Sequence, residues 1–383
     1  MANNLQQLAK PLRCVTLSCV ISIGLLVVAG PALGAPVVQQ VSGAMDHRGT
    51  IVIGGTGFGS KAVAAPLVWD DATGSSILEK WDGAWPSKLP GYNTGYYAPM
   101  RGVTPPHSHD THFIAGAHAD HAAADAGYNV VLFKNIPLQP FPFHVYASWY
   151  QRADDKWVFG GDNNYKAFAY SVCCSPYELP NDWFVAYGPP HPASTSDNPQ
   201  WVIGDNADSL QEPDANGHNA WWSKGANPMA GAWIKVEVAV KVTNQTDGYV
   251  RVWENGRQVM SYAGSTDRYS GNRRTVGIGG YARIRTRDNW RYFADAYLDT
   301  TLSRVVLANN PSLSRATIVE NQIPVTWSDN SITATVNLGR FTQGQTAYLF
   351  VVDSSGTASA AGAPVMAGGT AVEPSAPSAI EVK

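Results

Sequence analysis

Along this chain, apolar and polar residues alternate one for one far more often than they recur every third or fourth position. A period of two is the mark of half-buried β-strands. The clearest run is 233–242, WIKVEVAVKV, in which Ile234, Val236, Val238 and Val240 fall on one face and Trp233, Lys235, Glu237 and Lys241 on the other. Successive side chains of a strand point to opposite faces, so this segment is expected to bury an aliphatic face and to offer a charged, aromatic one. A turn at Thr246-Asp247-Gly248 leads into Tyr249-Val250-Arg251-Val252-Trp253, and Glu254-Asn255-Gly256-Arg257 reads as a hairpin with a type I′ turn at Asn-Gly. Further strands are expected at 111–116, 129–134, 143–151, 165–171, 275–285 and 292–298, separated by turn signals at 125–127, 160–164 and 188–199. Many strands, long loops and two-faced alternation predict an all-β fold of two packed antiparallel sheets.

The two ends of the 383-residue sequence differ from this pattern. Residues 1–34 have a basic start (Lys10, Arg13), an apolar run from Cys14 to Gly30 and small residues at Ala32 and Gly34. A removable secretory signal is expected, with a secreted, extracellular or periplasmic product; an uncleaved membrane anchor is the alternative. Once the signal is cleaved, no membrane association is expected. Residues 362–383 are mostly Ala, Gly, Pro and Ser and read as a flexible tail.

Charge narrows the partners. The signal holds two of the 27 basic residues and none of the 30 acidic ones, so the remainder is net acidic and no nucleic-acid partner is expected. A local cluster of Arg and Lys can still line a groove for an acidic polymer. Cys14 and Cys19 lie in the signal, leaving the adjacent pair Cys173-Cys174 and no disulfide framework. That pair could close on itself, bridge to another chain, or point to opposite faces of a strand.

Two resemblances follow from motifs. Ile51-Val52-Ile53-Gly54-Gly55-Thr56-Gly57-Phe58-Gly59, together with Trp327-Ser328-Asp329-Asn330-Ser331-Ile332 and the later 348–353 segment, resembles the opening and closing strands of an IPT/TIG immunoglobulin-like domain. The separation of the two halves implies one Ig-like domain split by an insertion, or two partial ones. The insertion resembles concanavalin-A-like jelly rolls, the fold of laminin-G-like modules and several polysaccharide lyases. It does so through Asn164-Tyr165-Lys166, the Trp-led strand, Asp247-Gly248-Tyr249 through Trp253-Glu254-Asn255-Gly256, and 292–299 (YFADAYLD). The expected organisation is an Ig-like opening part at 35–74, a two-sheet jelly-roll sandwich at 75–307 and an Ig-like closing part at 308–361.

Several motifs bear on possible chemistry. IVIGGTGFG imitates a dinucleotide-binding turn, but the last glycine position, read from Gly55, is Ser60, and no alternating βαβ units follow. His107, His109, His112, His118 and His121, with Asp110 and Asp120, could bind zinc or copper. They sit in a polar loop and strand edge, and no metal is assigned to them. Asp205, Asn206 and Asp208, or Asp154 and Asp155, offer oxygen ligands for a structural calcium; no cofactor is otherwise expected. No paired-carboxylate strand of the glycosidase type is present.

A lyase acting on a uronate needs a base, an acid and cations or amides against the carboxylate. The polar face of 143–151 carries His144, Tyr146, Ser148 and Tyr150. Lys166, Lys235, Glu237, Arg283 and Arg285 come from neighbouring strands, and Trp222 and Trp233 offer stacking faces. Gathered on one concave sheet, these residues would form a cationic, tyrosine-bearing groove, with His144, Tyr146, Lys166 and Arg283 as catalytic candidates and Tyr150, Trp233, Lys235, Glu237, Arg285 and Trp222 binding substrate. The expected function is thus binding or lyase-type cleavage of a polysaccharide, an acidic one in particular. The alternative is a non-catalytic structural or adhesion protein of the cell surface.

Overall fold

A computed structural model describes residues 34–85, 97–99, 103–110, 112–118, 129–136, 139–155, 165–171, 183–188, 200–205, 219–222, 230–267, 274–281 and 289–371. Their regular structure is almost all strand, with two single-turn 3-10 segments, and the strand pairings are antiparallel. Four sheets make two sandwiches, and the larger is the two-sheet jelly-roll sandwich expected from the alternation.

Sheet I of the larger sandwich runs Arg257–Ala263, Tyr249–Glu254, Ile234–Val242, Phe143–Ala153, Asn289–Asp299, His112–His118, Tyr97–Pro99, with Val68–Asp70 added to Asn289–Asp299. Sheet II runs Asn219–Trp222, Gln200–Asp205, Trp183–Gly188, Tyr165–Ser171, Arg274–Tyr281, Asn129–Ile136, Gly83–Trp85. Between them lies one core in which Val145, Ala147 and Trp149 alternate with Val236, Val238 and Val240 against Phe168, Tyr170, Val276 and Ile278. The ring of Trp149 stacks on that of Phe168 at 6.3 Å. The Asn-Gly hairpin forms as read: Asn255 and Gly256 both take positive φ, 48° and 75°, as a type I′ turn requires.

The smaller sandwich joins strands from the two ends of the described chain. One sheet runs Ile323–Trp327, Ser331–Thr335, Thr50–Thr56, Val37–Ala44, Thr370–Ala371; the other runs Val319–Asn321, Arg304–Ala308, Thr346–Val352, Ala363–Met366. Its separate core takes Val41, Ile51, Ile53 and Phe58 from the beginning and Val305, Ile332, Leu349 and Val351 from the end. The two glycine- and tryptophan-bearing motifs touch: Gly55 and Phe58 donate backbone N–H bonds to the carbonyls of Asn330 and Asp329, both at 3.0 Å. Gly55 is obligatory here, because a Cβ would stand 2.0 Å from the Val37 carbonyl and 2.6 Å from the Phe58 ring.

Phe58 is fully buried in this second core. Phe58→Ala should therefore destabilise the protein by about 3–5 kcal/mol, the usual cost of emptying a buried aromatic site, seen as a lower urea midpoint at unchanged slope.

Candidate functional site

Strand Phe143–Ala153 pairs in register with Ile234–Val242, which places His144 opposite Lys241, Tyr146 opposite Ala239, Ser148 opposite Glu237 and Tyr150 opposite Lys235. The polar residues read from the sequence therefore do share one face of sheet I. That face is not a groove. The smaller sandwich lies on most of it, and Tyr146, Tyr150, Lys235 and Glu237 are all buried.

Their partners come from the far end of the chain. Lys235 Nζ pairs with Glu320 Oε2 at 2.6 Å and also donates to the Val319 carbonyl. The Tyr150 hydroxyl donates to the other Glu320 oxygen, which also accepts the Arg340 N–H at 3.2 Å. Gly339, at φ +48°, leaves room for that carboxylate, since a Cβ there would stand 2.3 Å from the Glu320 Cδ. Tyr146 donates to Glu237 Oε1 at 2.6 Å, and Asn321 Nδ2 donates to Ser148 Oγ at 2.6 Å. Arg304 lies 4.2 Å above the Tyr146 ring. At the next margin Lys61 meets Asp299 at 2.6 Å, both side chains buried, and burial pushes the Asp299 carboxyl up while Lys61 opposes it.

These contacts correct the catalytic assignment. Burial, then the adjacent Glu237 charge, raises the Tyr146 phenol, and burial with Glu320 does the same for Tyr150. Both side chains are buried and each donates its hydroxyl to a carboxylate. Lys166 lies on sheet II rather than beside Tyr146, and its carbonyl accepts a bond from Arg291 at 2.8 Å. Trp233 donates its Nε1–H to the Thr104 carbonyl at 2.7 Å, so a hydrogen bond to protein holds its indole. Trp222 ends an edge strand of sheet II, paired with Trp201. Arg283 and Arg285 lie outside the described residues, as do Cys173, Cys174, Asp120 and His121. Of the oxygen donors that could hold calcium, Asp155 is paired with Arg152, and Asn206 and Asp208 lie outside the described residues.

One part of the face of sheet I stays open. His144, Lys241 and Tyr249 form a row across three strands, and Arg251 follows Tyr249 on the same face. The Arg251 guanidinium lies 4.2 Å from the Tyr249 ring centroid, and the His144 ring 6.2 Å from it. Arg251 is exposed, while His144, Lys241, Tyr249 and Trp253 are half-buried. Burial, helped by Lys241, lowers the His144 pKa, and burial raises that of Tyr249. At neutral pH the row thus presents a neutral imidazole, a phenol and two cations, with Asp247 paired to Lys241 at 2.6 Å.

A second cluster lies at the junction of the two sandwiches. His107 Nε2 is 2.8 Å from Asp295 Oδ2 and 3.2 Å from Asp110 Oδ2. Asp295 sits at φ +48°, where strand Asn289–Asp299 bulges against Phe143–Ala153. Asp is one of the few side chains that tolerate this region, and bulges re-aim side chains. Asn337 Nδ2 reaches the same Asp295 oxygen at 3.3 Å. Beside it, His47 stacks on His109 at 4.6 Å. Burial, then the neighbouring His109, holds the His47 pKa down from 6.5 to about 4.

Two outcomes are expected at this junction. Lys235→Met should cost about 3–5 kcal/mol, because it strands the buried Glu320 charge. Combining it with Glu320→Leu should cost less than the two single changes together, a coupling read from a double-mutant denaturation cycle. The depressed His47 pKa means that the unfolded chain binds a proton near pH 6.5 that the folded chain refuses until about 4. Stability is complete above that window and falls as pH drops through it; His47→Gln should flatten the decline in urea midpoint.

No protein-family description matches the chain, and no curated protein matches it. Solved structures similar to it include an endo-β-1,4-glucuronan lyase from the fungus Trichoderma reesei, 13% identical with a TM-score of 0.41, covering 63% of this chain and 97% of that one. The alginate lyase Aly36B is 10% identical with a TM-score of 0.40, covering 62% and 98%. The botulinum neurotoxin serotype C1 binding domain is 10% identical with a TM-score of 0.31, covering 63% and 67%.

Proposed function

We propose that this is an exported carbohydrate-binding protein that holds an acidic polysaccharide on the ledge of His144, Lys241, Tyr249 and Arg251. The observation that carries this reading is the Arg251 guanidinium lying 4.2 Å from the Tyr249 ring on the uncovered end of sheet I. The Tyr249 ring holds the guanidinium that lies over it, and a guanidinium so held takes a carboxylate in bidentate fashion. Lys241 adds a second cation, and the neutral His144 can give or accept a hydrogen bond to a hydroxyl. Catalysis is not assigned: the candidate Tyr146 is buried in the junction, and Lys166 lies on sheet II, away from it. The alternative, a surface spacer or adhesion protein, calls for no glycan at this ledge.

Affinity electrophoresis through gels cast with alginate, polygalacturonate or a neutral glucan tests the proposal. Retardation is expected in the acidic gels alone, weakening with salt. Arg251→Ala and Tyr249→Ala should each weaken it about tenfold, roughly 1.4 kcal/mol. Ultraviolet absorbance of the same mixtures reports unsaturated uronates, and a rise would turn binding into elimination. Unretarded migration in every gel would leave the spacer reading in its place.

A further inference from the structure

The cluster of His107, Asp110 and Asp295 holds hydrogen-bonding capacity that the described protein groups do not fill. One nitrogen, His107 Nε2, faces oxygens of two carboxylates, at 2.8 Å and 3.2 Å. A ring nitrogen carries at most one proton and can satisfy only one of them. The Asp295 oxygen also receives Asn337, whereas Asp110 Oδ2 is buried without a hydrogen-bond partner. All three side chains are at least nine-tenths buried. A buried carboxylate oxygen with no donor is costly, and Glu320 nearby adds negative charge rather than relieving it.

We propose that His107, Asp110 and Asp295 bind a divalent transition-metal ion of the zinc class as a structural centre. Ligands bonded at about 2.0–2.2 Å in a tetrahedral site stand about 3.3–3.6 Å apart, so the 3.2 Å pair fits and the 2.8 Å pair must open by about half an ångström to admit the ion. The donor atoms all lie within 4.8 Å of one another. An imidazole with two carboxylates matches zinc or manganese better than calcium, which prefers oxygen alone. A neutral imidazole and two carboxylates also balance a divalent charge. Three protein donors leave the fourth position to water. Because the donors are shut away from solvent, the ion fastens the 103–110 loop to the bulge of strand Asn289–Asp299 and performs no chemistry on a substrate. The positive φ of Asp295 then has a purpose: it turns the carboxylate toward the loop.

The test uses the whole protein made without a histidine tag, stripped with chelator and dialysed against buffered zinc. Elemental analysis should find about one zinc per chain, and the thermal midpoint should rise on adding zinc and not on adding calcium. Asp110→Asn should abolish both effects, and His109→Gln, which leaves the three donors in place, should keep them. Cobalt loaded into the wild-type protein supplies a reading independent of any variant, as visible absorption bands of nitrogen and oxygen coordination. Zinc content and midpoint shift equal in wild type and Asp110→Asn would overturn the proposal, as would cobalt without such bands.

Discussion

Everything in this molecule turns on how a row of polar side chains on sheet I is kept out of water. Lys235 and Glu320 meet at 2.6 Å with Tyr150 on the second carboxylate oxygen. Taking such a pair out of solvent recovers its desolvation cost only if the remaining hydrogen-bonding capacity is filled. The backbone N–H of Arg340, the Val319 carbonyl and the space left by Gly339 fill it. With that arrangement in place, the outer face of sheet I is a second interior and the two sandwiches pack as one unit. Without it, the same face would be an ordinary wet sheet surface.

This explains what could and could not be read from the sequence. Alternation assigned Lys235, Glu237, Tyr146 and Tyr150 to the same face, and the register confirms that they share it. Alternation carries no information about what covers a face, however. The cover comes from Val319, Glu320 and Asn321, some eighty positions beyond Lys235. Glu320, Asn321 and Gln322 are three consecutive polar residues, all buried, and no periodic rule predicts that. The Asn255-Gly256 hairpin was legible because turn chemistry is local. The shared core of Phe58 and Ile332 was hinted at only by short motifs at the two ends. Asp295 was visible as an acid in a strand, but its turned carboxylate depends on a bulge that composition does not announce.

The open ledge and the closed junction use similar residues for different ends. Tyrosines with cations beside them occur in both: Arg251 at Tyr249 in solvent, Arg304 at Tyr146 in the interior. What separates them is whether a second layer lies above. On the ledge Arg251 is exposed, whereas Tyr146 in the junction is fully buried.

The pairing of the first and last described strands has a mechanical corollary. Gly43 lies opposite Ala371 and Ala44 opposite Thr370, antiparallel, so the chain leaves both strands toward the same side. Tension applied between residue 37 and residue 371 is therefore borne first by these rungs, peeled one after another instead of sheared together.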